Sequence, residues 1–342
     1  MGCLLCACRF IFFVHEPRDI SGTVENHAKI IDFPHFSVVR EAVDHTYLGS
    51  KQYADINVNS SAYRHIMKEW KILDGEKNLP DSIYVQAYET RIDLMRAVIV
   101  GSPGTPYHDG LFFFDICLPF HYPNQPPKVH YISHGYKLNP NILQDGRVCL
   151  SLINTWKGDK GERWSPKLTI LQTLVSIQAL VLNDRPYFNN PALAFAKNNT
   201  PPEIEGSSIV YNHIAFEQSC KSMISIMRNP PKNFENFVVC HFRARADMIL
   251  TAARDYEKGR MMVGMIDQDS VEGVHNVLFN IGRIRLELVD AFSPYISEAE
   301  AMINMDDNND DDDDVVVKTK ENMKKHKRDW SKFICFAICI WE

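Results

Sequence analysis

Residues 137–151 read KLNPNILQDGRVCLS and place one cysteine after two turn signals. The proline between the two asparagines fixes its own φ and biases the residue before it toward extended geometry. Asp145 and the glycine after it mark a second turn, and Cys149 then stands between valine and leucine. Asn141 precedes Cys149 by eight positions, and a side-chain amide can donate a hydrogen bond to the oxyanion formed when a thioester is attacked. The alternative for these residues is a buried structural cysteine beside an ordinary Asn-Pro turn.

Further proline and aromatic motifs surround this stretch. In chain order they are Tyr122-Pro123, Pro126-Pro127, Asn139-Pro140-Asn141 with Cys149, and Trp164-Ser165-Pro166. In this order and spacing they resemble the active-site region of ubiquitin-conjugating enzymes, whose usual form has histidine where Asn139 stands. The Asn-Pro-Asn form, with Leu-Ser-Leu after the cysteine, is similar to large conjugating enzymes that also act as their own ligases. That group includes mammalian hybrid enzymes and a plant set linked to phosphate homeostasis.

The resemblance implies an α+β fold of the ubiquitin-conjugating (UBC) type. Such a fold has a four-stranded antiparallel meander sheet, packed by an N-terminal helix, a central buried helix and C-terminal helices. On this chain we predict a loosely structured extension over residues 1–60, a UBC core over 61–228, a helical C-terminal extension over 229–258, and a variable, largely disordered tail over 259–342.

Hydrophobic periodicity predicts the same elements. Ser60 or Ser61 can cap a helix whose apolar residues recur at helical spacing up to Leu73. Four strand-like runs over residues 83–88, 94–100, 111–118 and 128–132 are joined by short turn-rich connections, which argue for an antiparallel meander. Ser165 before Pro166 predicts the start of a buried central helix that continues to residue 182. Further helices are predicted over residues 191–197, 203–228 and 234–258.

The resemblance also implies the site residues. Cys149 is the nucleophile that accepts ubiquitin as a thioester, and Asn141 is the oxyanion donor. Many family members carry acidic residues two positions after the cysteine and just before a proline that matches Pro191. Here these positions are Ser151 and Asn190. A neutral side chain can orient the acceptor amine but cannot favour its deprotonation through charge.

Two carboxylates are candidates for that missing acidic function: Asp184 and, in a polar insertion over residues 154–163, Asp159. We expect no bound cofactor, because ATP is consumed upstream by the activating enzyme. We also expect no bound metal. The alternatives are a catalytically silent UBC-fold scaffold, a conjugating enzyme for another ubiquitin-like modifier, and a cysteine protease. A protease would need a histidine base, and no protease signature surrounds Cys149.

Expected partners are ubiquitin, the ubiquitin-activating enzyme and protein substrates with lysine acceptors. In the family the first helix presents basic residues to the activating enzyme, and Arg64, Lys68 and Lys71 are the candidates here. An ordinary solvated face is the alternative for these three. The ligase-binding loop usually has an aromatic residue after Tyr-Pro, where this chain has Asn124. Loss of that anchor argues against recruitment of conventional RING or HECT ligases.

Composition excludes several other classes of protein. The net charge of −6 is accounted for by seven aspartates between Asp306 and Asp314, so the rest of the chain carries no strong field for nucleic acid. The nine cysteines are scattered, which suits a reducing cytoplasmic or nuclear compartment. The apolar ends, at residues 3–14 and 333–341, are too short to span a bilayer. Membrane contact is therefore expected only through lipidation or these ends.

Overall fold

The computed structural model describes residues 33–50, 59–75, 78–158, 161–193, 196–197, 200–263 and 281–294. The N-terminal cysteines, Asp159, the aspartate run and the apolar C-terminal end lie outside these residues. The described strands are β1 (Phe36–Val39), β2 (Ile83–Tyr88), β3 (Leu94–Val100), β4 (Leu111–Cys117) and β5 (Lys128–Tyr131). The described α-helices are α1 (Ser61–Leu73), α2 (Ile170–Ser176), α3 (Pro202–Arg228), α4 (Glu235–Glu257) and α5 (Ile281–Phe292).

The sheet has five strands in the order β1-β2-β3-β4-β5. Strands β2 to β5 pair antiparallel, so the predicted meander and the α+β class are confirmed. β1 adds a fifth strand parallel to β2, with Phe36 opposite Val85. The predicted count of four strands is therefore wrong, and the segment that we expected to be loosely structured contributes to the sheet. The four residues of β1 are half-buried or exposed without alternating, so the sequence shows no strand period there.

Helix α1 begins where the sequence predicts. Ser60 is its N-cap, and the Ser60 hydroxyl accepts a hydrogen bond from the backbone N–H of Tyr63 at 3.0 Å. Ile66 and Leu73 of α1 are buried, as the apolar stripe requires. The long helices predicted over residues 203–228 and 234–258 are found as α3 and α4. Of the short helix predicted over residues 191–197, residues 191–193 form a turn, Ala196 has 3-10 geometry and residues 194–195 lie outside the described residues, so this helix stays a prediction.

The central helix starts later than predicted. Thr169, not Ser165, is the N-cap of α2, and Thr169 forms a capping box with Gln172. The carboxylate of Glu69 in α1 accepts a hydrogen bond from the backbone N–H of Ile170 at 3.0 Å. This satisfies one of the unpaired donors at the helix start. The local capping box and the contact from α1 therefore both fix the start of α2 at Thr169.

The central helix is also less buried than its apolar sequence suggests. After α2 the chain continues as a π-helical turn, Ile177–Val181. Ile177 and Val181 are fully buried, whereas Leu180 is 56% exposed. The helix therefore packs on one side only, and the predicted burial on most faces is wrong.

The sheet separates two hydrophobic cores, and alternation along each strand assigns side chains to them. In β4, Phe112 and Phe114 enter the front core, which also contains residues of α1, α2 and the segment around the cysteine. Leu111 and Phe113 enter the back core, which α4 and α5 cover. α3 contributes residues to both cores. The candidate active site and the C-terminal helices therefore lie against opposite faces of the sheet.

Helix α5 lies within the tail that was predicted to be largely disordered. Its residues Ile281, Ile284, Leu288 and Phe292 are buried at helical spacing, and α5 packs against α3 and α4. The prediction is wrong for this segment: the apolar spacing of this 12-residue helix is itself a helical signal, but the segment was grouped with the charged tail. Within the described residues, no helix is both long enough and apolar enough to cross a membrane.

Candidate active site

Cys149 is paired closely with Asn141. The backbone N–H of Cys149 donates to the carbonyl oxygen of Asn141 at 2.8 Å, and Nδ2 of Asn141 donates to the carbonyl oxygen of Cys149 at 2.8 Å. The thiol is free and half-buried. Burial raises the pKa of the Cys149 thiol, while the charge of Arg147 lowers it and that of Asp145 raises it. The neutral amide of Asn141 therefore holds the backbone of Cys149 in place.

Thr155 holds both neighbours of Cys149. The Thr155 hydroxyl donates to the carbonyl oxygen of Val148 at 2.6 Å and accepts from the backbone N–H of Leu150 at 2.9 Å. The side chains of Val148 and Leu150 are buried in the front core, so the backbone on either side of the cysteine is fixed. Sequence reasoning missed Thr155. The available signal was a hydroxyl residue within a turn, where side chains often bond nearby backbone groups.

Asn139 is fully buried and uses all of its hydrogen-bonding capacity. Nδ2 of Asn139 donates to the hydroxyl oxygen of Tyr107 at 2.8 Å and to the carbonyl oxygen of Val181 at 2.7 Å. Oδ1 of Asn139 accepts from the backbone N–H of Asn141 at 2.8 Å and from Nδ2 of Asn189 at 3.3 Å. A carboxamide has two N–H donors and two lone pairs, so every one is paired. Asn139 thus joins the active-site turn to the π-helical turn and to the loop that follows it.

Asn141 retains one donor. Of its two Nδ2 hydrogens, one bonds to the carbonyl of Cys149, and the described residues supply no acceptor for the other. Oδ1 of Asn141 is buried and accepts no hydrogen bond from the described residues. An oxyanion donor must lie close to Cys149 and have an N–H group that is not already bonded, and the amide of Asn141 meets both conditions. The role itself stays a prediction.

The other predicted site residues have structural contacts of their own. Ser151 begins the 3-10 turn after the nucleophile, and a Cβ added to Gly158 of the insertion would lie 2.4 Å from the Cβ of Ser151. Oδ1 of Asn190 accepts from the backbone N–H of Ala192 at 3.0 Å. Asp184 is exposed. The insertion therefore packs onto Ser151, and the action of these three residues on an acceptor lysine stays a prediction.

Residues 65–204 match the family model described as ubiquitin-conjugating enzyme. The putative ubiquitin-conjugating enzyme E2 39 of Arabidopsis thaliana is 46% identical over 250 residues, which cover 70% of this chain and 75% of that relative. The chain belongs to the ubiquitin-conjugating enzyme family. The resemblance carried by the proline and aromatic motifs is therefore confirmed.

Two longer relatives in the same family have further domains or segments outside the match. The probable ubiquitin-conjugating enzyme E2 24 of Arabidopsis thaliana is 45% identical over 277 residues, 80% of this chain and 30% of that protein. The dual E2 ubiquitin-conjugating enzyme/E3 ubiquitin-protein ligase BIRC6 of Homo sapiens is 31% identical over 243 residues, 67% of this chain and 5% of that protein. This chain thus spans less than a third of the length of either relative.

A buried carboxylate links the motifs of this conjugating-enzyme domain. The hydroxyl of Tyr122 donates to Oε1 of Glu69 at 2.7 Å, and the same carboxylate caps Ile170. Burial raises the pKa of Glu69, although both hydrogen bonds lower it. Nε1 of Trp164 donates to the carbonyl oxygen of Pro123 at 2.7 Å. The Tyr-Pro and Trp-Ser-Pro motifs therefore contact each other. Glu69, which sequence reasoning missed, binds the tyrosine of the Tyr-Pro motif.

A groove of about 870 Å³ lies along the polar insertion that follows Cys149. Its lining residues are Asn154, Thr155, Trp156, Lys157, Arg163, Trp164 and Pro191. Thr155 connects this groove to the backbone on either side of Cys149. The charged side chains of the lining, Lys157 and Arg163, are both basic and exposed. This wall of the conjugating enzyme therefore offers no attraction of its own to a lysine ammonium.

The surfaces predicted to bind partners are accessible. Arg64, Lys68 and Lys71 are all exposed on α1. Their spacing of four and three residues places them along one face of the helix. Asn124 is exposed in the connection between β4 and β5. Binding of the activating enzyme at the first surface, and weak ligase binding at the second, stay predictions.

Proposed function

We propose that this chain is an active conjugating enzyme that carries ubiquitin on Cys149. The Cys149 thiolate attacks the thioester that joins ubiquitin to the activating enzyme; a new C–S bond forms, and the cysteine of the activating enzyme leaves as a thiolate. The ε-amine of an acceptor lysine then attacks the Cys149 thioester. A C–N bond forms, the C–S bond breaks, Cys149 leaves as a thiolate, and the amine proton passes to solvent.

The observation that supports this proposal is the free, half-buried thiol of Cys149, on a backbone that Asn141 and Thr155 hold in place. The raised pKa of the thiol is compatible with the chemistry. A thiolate of higher pKa is scarcer at neutral pH but a stronger nucleophile, so thioester exchange does not require a low pKa. The second N–H of Asn141 serves the oxyanion in both steps.

Ser151 and Asn190 orient the acceptor amine by hydrogen bonding rather than by charge, and Asp184 assists its deprotonation. No bound cofactor takes part, because ATP is consumed upstream by the activating enzyme. The exposed basic face of α1, formed by Arg64, Lys68 and Lys71, binds that enzyme. The compartment is cytoplasmic or nuclear, where a free thiol stays reduced.

Ligase-like autonomy is a finer part of the proposal. It is supported by similarity to the relative named as a dual E2 and E3 enzyme. It is also supported by Asn124, which presents no aromatic anchor to a RING or HECT ligase. We expect the charged protein to modify substrate without a ligase, and Asn124→Phe to gain discharge that a RING ligase stimulates. Strong stimulation of the unaltered protein by the same ligase would contradict this part.

Charging tests the proposal. The purified protein is incubated with activating enzyme, ubiquitin and ATP and run on non-reducing and reducing gels. We expect a ubiquitin-sized shift that thiol removes, present in Cys240→Ala, which alters another half-buried free cysteine, and absent in Cys149→Ala. If no ubiquitin-sized shift forms while a control conjugating enzyme is charged, the catalytically silent scaffold becomes the better description of this chain. A shift only with another ubiquitin-like modifier and its own activating enzyme would replace ubiquitin in the proposal.

A further inference from the structure

A buried polar cluster joins helix α4 to the turn between β3 and β4. Nδ1 of His108 donates to Oδ2 of Asp109 at 2.9 Å, and the guanidinium of Arg245 donates to Oδ1 of Asp109 at 2.6 Å. Nε2 of His241 donates to the backbone carbonyl of Asp109 at 2.8 Å. The hydroxyl of Tyr256 lies 3.1 Å from Nε2 of His108. Three side chains of α4 therefore contact two consecutive residues of this turn.

Asp109 is the acidic group of the cluster. Burial by itself would raise the pKa of Asp109, but the hydrogen bond from His108 and the charges of His108 and Arg245 outweigh burial and lower it. Burial lowers the pKa of His241 to about 4. An ionised Asp109 thus faces Arg245, whose side chain is 41% exposed, with a neutral His241 on its backbone. Helix α4 is therefore attached to this turn by one charge-assisted contact and one buried neutral contact.

Backbone hydrogen bonds and close packing fix the geometry of the turn between β3 and β4. The backbone N–H of Gly101 donates to the carbonyl of Gly110 at 2.9 Å, and that of Asp109 donates to the carbonyl of Gly101 at 3.2 Å. A Cβ at Gly101 would lie 1.7 Å from the carbonyl oxygen of Tyr107, so the backbone is packed as closely as glycine permits. Asp109 has a φ of 61°, in the left-handed region. A displacement of Asp109 is therefore passed to Tyr107.

Tyr107 faces the opposite core and reaches the active site. Its side chain is fully buried in the front core, and its hydroxyl oxygen accepts from Nδ2 of Asn139 at 2.8 Å. Asn139 binds the backbone N–H of Asn141, and Asn141 binds the carbonyl of Cys149. An unbroken series of contacts therefore runs from α4, on one face of the sheet, to the nucleophile on the other. Every step in it is a hydrogen bond or a covalent neighbour.

We infer that helix α4 positions the nucleophile through this turn, and that Arg245 and Tyr256 are positioning residues for ubiquitin transfer. Arg245 and Tyr256 touch no reacting atom. They fix Asp109 and His108, which fixes Tyr107 and therefore the donor end of Asn139. The inference rests on the proposed function of Cys149 and adds that the helical C-terminal extension is part of the catalytic unit. It predicts energetic coupling between Arg245 and Asn139, because both bias one arrangement of the turn.

A double-mutant cycle tests the inference. The full chain is charged with ubiquitin, the charging step is stopped, and the first-order discharge to free lysine is measured well below the melting temperature. The variants are Arg245→Ala, Tyr256→Phe, Asn139→Ala and the double variant Arg245→Ala/Asn139→Ala. The matched control is Arg243→Ala, which removes an exposed arginine from the same helix. Arg245→Lys tests rescue, since it restores the charge but not the guanidinium fork.

We expect Arg245→Ala and Tyr256→Phe to slow discharge about fivefold, with Arg243→Ala unchanged and Arg245→Lys intermediate. The double variant should be no slower than Asn139→Ala alone, since both act on one contact series. Discharge of Arg245→Ala equal to that of Arg243→Ala, or effects that multiply in the double variant, would overturn the inference. A merely structural role would lower the melting temperature without this non-additivity.

A second readout separates this inference from the proposed function. Alkylation of Cys149 by iodoacetamide, followed by peptide mass spectrometry, requires no ubiquitin. If the unaltered protein fails to charge, the proposed function fails, and the alkylation rates still decide the inference. We expect Arg245→Ala to change the Cys149 rate by about twofold or more relative to Arg243→Ala, with the Cys240 rate as an internal reference. Equal rates at Cys149 in the two variants would contradict positioning by α4.

Discussion

Two buried polar clusters, one against each face of the sheet, differ in charge. The cluster around Asn139 in the front core is neutral and consists of Tyr107, Asn139, Asn141 and Asn189. The cluster around Arg96, behind β3 and β4, is ionic: Nε and NH2 of Arg96 donate to Asp115 at 2.7 and 3.0 Å, and NH1 donates to Asp44 at 2.6 Å. Asn139 and Arg96 are both 0% exposed. Of these two clusters, only the one away from Cys149 combines full burial with charge.

The difference indicates a division of roles. The ionic cluster attaches the segment after β1 to the sheet, because the backbone N–H and hydroxyl of Thr46 both donate to Asp115 as well. The neutral cluster places Cys149 without adding a charge near its thiol. The protonation of Cys149 then depends on burial and on the exposed pair Arg147 and Asp145. The ionic cluster should govern stability, and the neutral cluster should govern transfer.

The largest expected effect is on stability, at the ionic cluster. Asp115→Ala leaves the Arg96 guanidinium buried without its main partner, which should lower the free energy of unfolding by about 3–5 kcal/mol. Asp44→Ala is the matched control; the Asp44 side chain is 40% exposed, and its loss should cost about 1 kcal/mol. Urea unfolding measures both. Equal losses in the two variants would remove the distinction between the buried and the partly exposed partner of Arg96.

Asn141→Ala should have the largest effect on transfer. Loss of the oxyanion donor should slow discharge of the Cys149 thioester to free lysine about 100-fold. Asn190→Ala, which removes an amide whose described bond goes to Ala192, should slow it by only a few fold. Single-turnover discharge is the measurement. If Asn141→Ala discharges as fast as Asn190→Ala, the amide of Asn141 merely supports the backbone.

Asn139→Ala tests which of the two clusters controls transfer. It leaves the N–H of Asn141 without its partner, while the carbonyl of Val181 keeps the bond from Nδ2 of Asn189, and the loss should cost about 2 kcal/mol of stability. The discharge rate per folded molecule should fall in Asn139→Ala and stay unchanged in Asp115→Ala, when both are measured at a temperature where they are folded. A discharge rate that falls in Asp115→Ala and stays unchanged in Asn139→Ala would show that the ionic cluster, not the neutral one, controls transfer.

The smallest effect concerns thiol protonation. Because the pKa of Cys149 is raised above the ordinary thiol value of about 8.5, the thiolate fraction should increase about tenfold per pH unit through neutrality and beyond pH 8.5. The iodoacetamide rate should follow it. Arg147→Ala should shift this profile to higher pH and Asp145→Ala to lower pH, each by less than about threefold in rate, since both groups are exposed to solvent. Shifts in the opposite directions would contradict the assigned charges.

Sequence predicted the parts of the fold that repeat a local pattern. The helical stripe of α1 and the strands β2 to β5 were found almost to the residue, because alternation and apolar spacing are local. β1 and α5 were missed for other reasons: β1 shows no alternation of buried and exposed residues, and α5, whose apolar residues do recur at helical spacing, was grouped with the charged tail. The start of α2 was misplaced because the Ser-Pro pair was preferred to the capping box of Thr169 and Gln172.

The candidate site divides in the same way. Cys149 and Asn141 were predicted from eight residues of spacing and a family motif, and the structure pairs them. Asn139 was recognised only as a replacement for histidine. Its partners Tyr107 and Val181 are 32 and 42 residues away, so no motif includes them. Long-range hydrogen bonds between side chains leave no periodic trace in a single sequence.

The variant Cys149→Ser tests whether the sulfur of Cys149 is the atom that carries ubiquitin. The protein is charged with activating enzyme, ubiquitin and ATP, and the adduct is followed by intact mass with and without thiol. We expect a thiol-labile adduct on the unaltered protein and, on Cys149→Ser, a slower-forming oxygen ester that thiol leaves intact and hydroxide cleaves. A thiol-labile adduct of the same mass on Cys149→Ser would place ubiquitin on another cysteine and rule out Cys149 as the carrier.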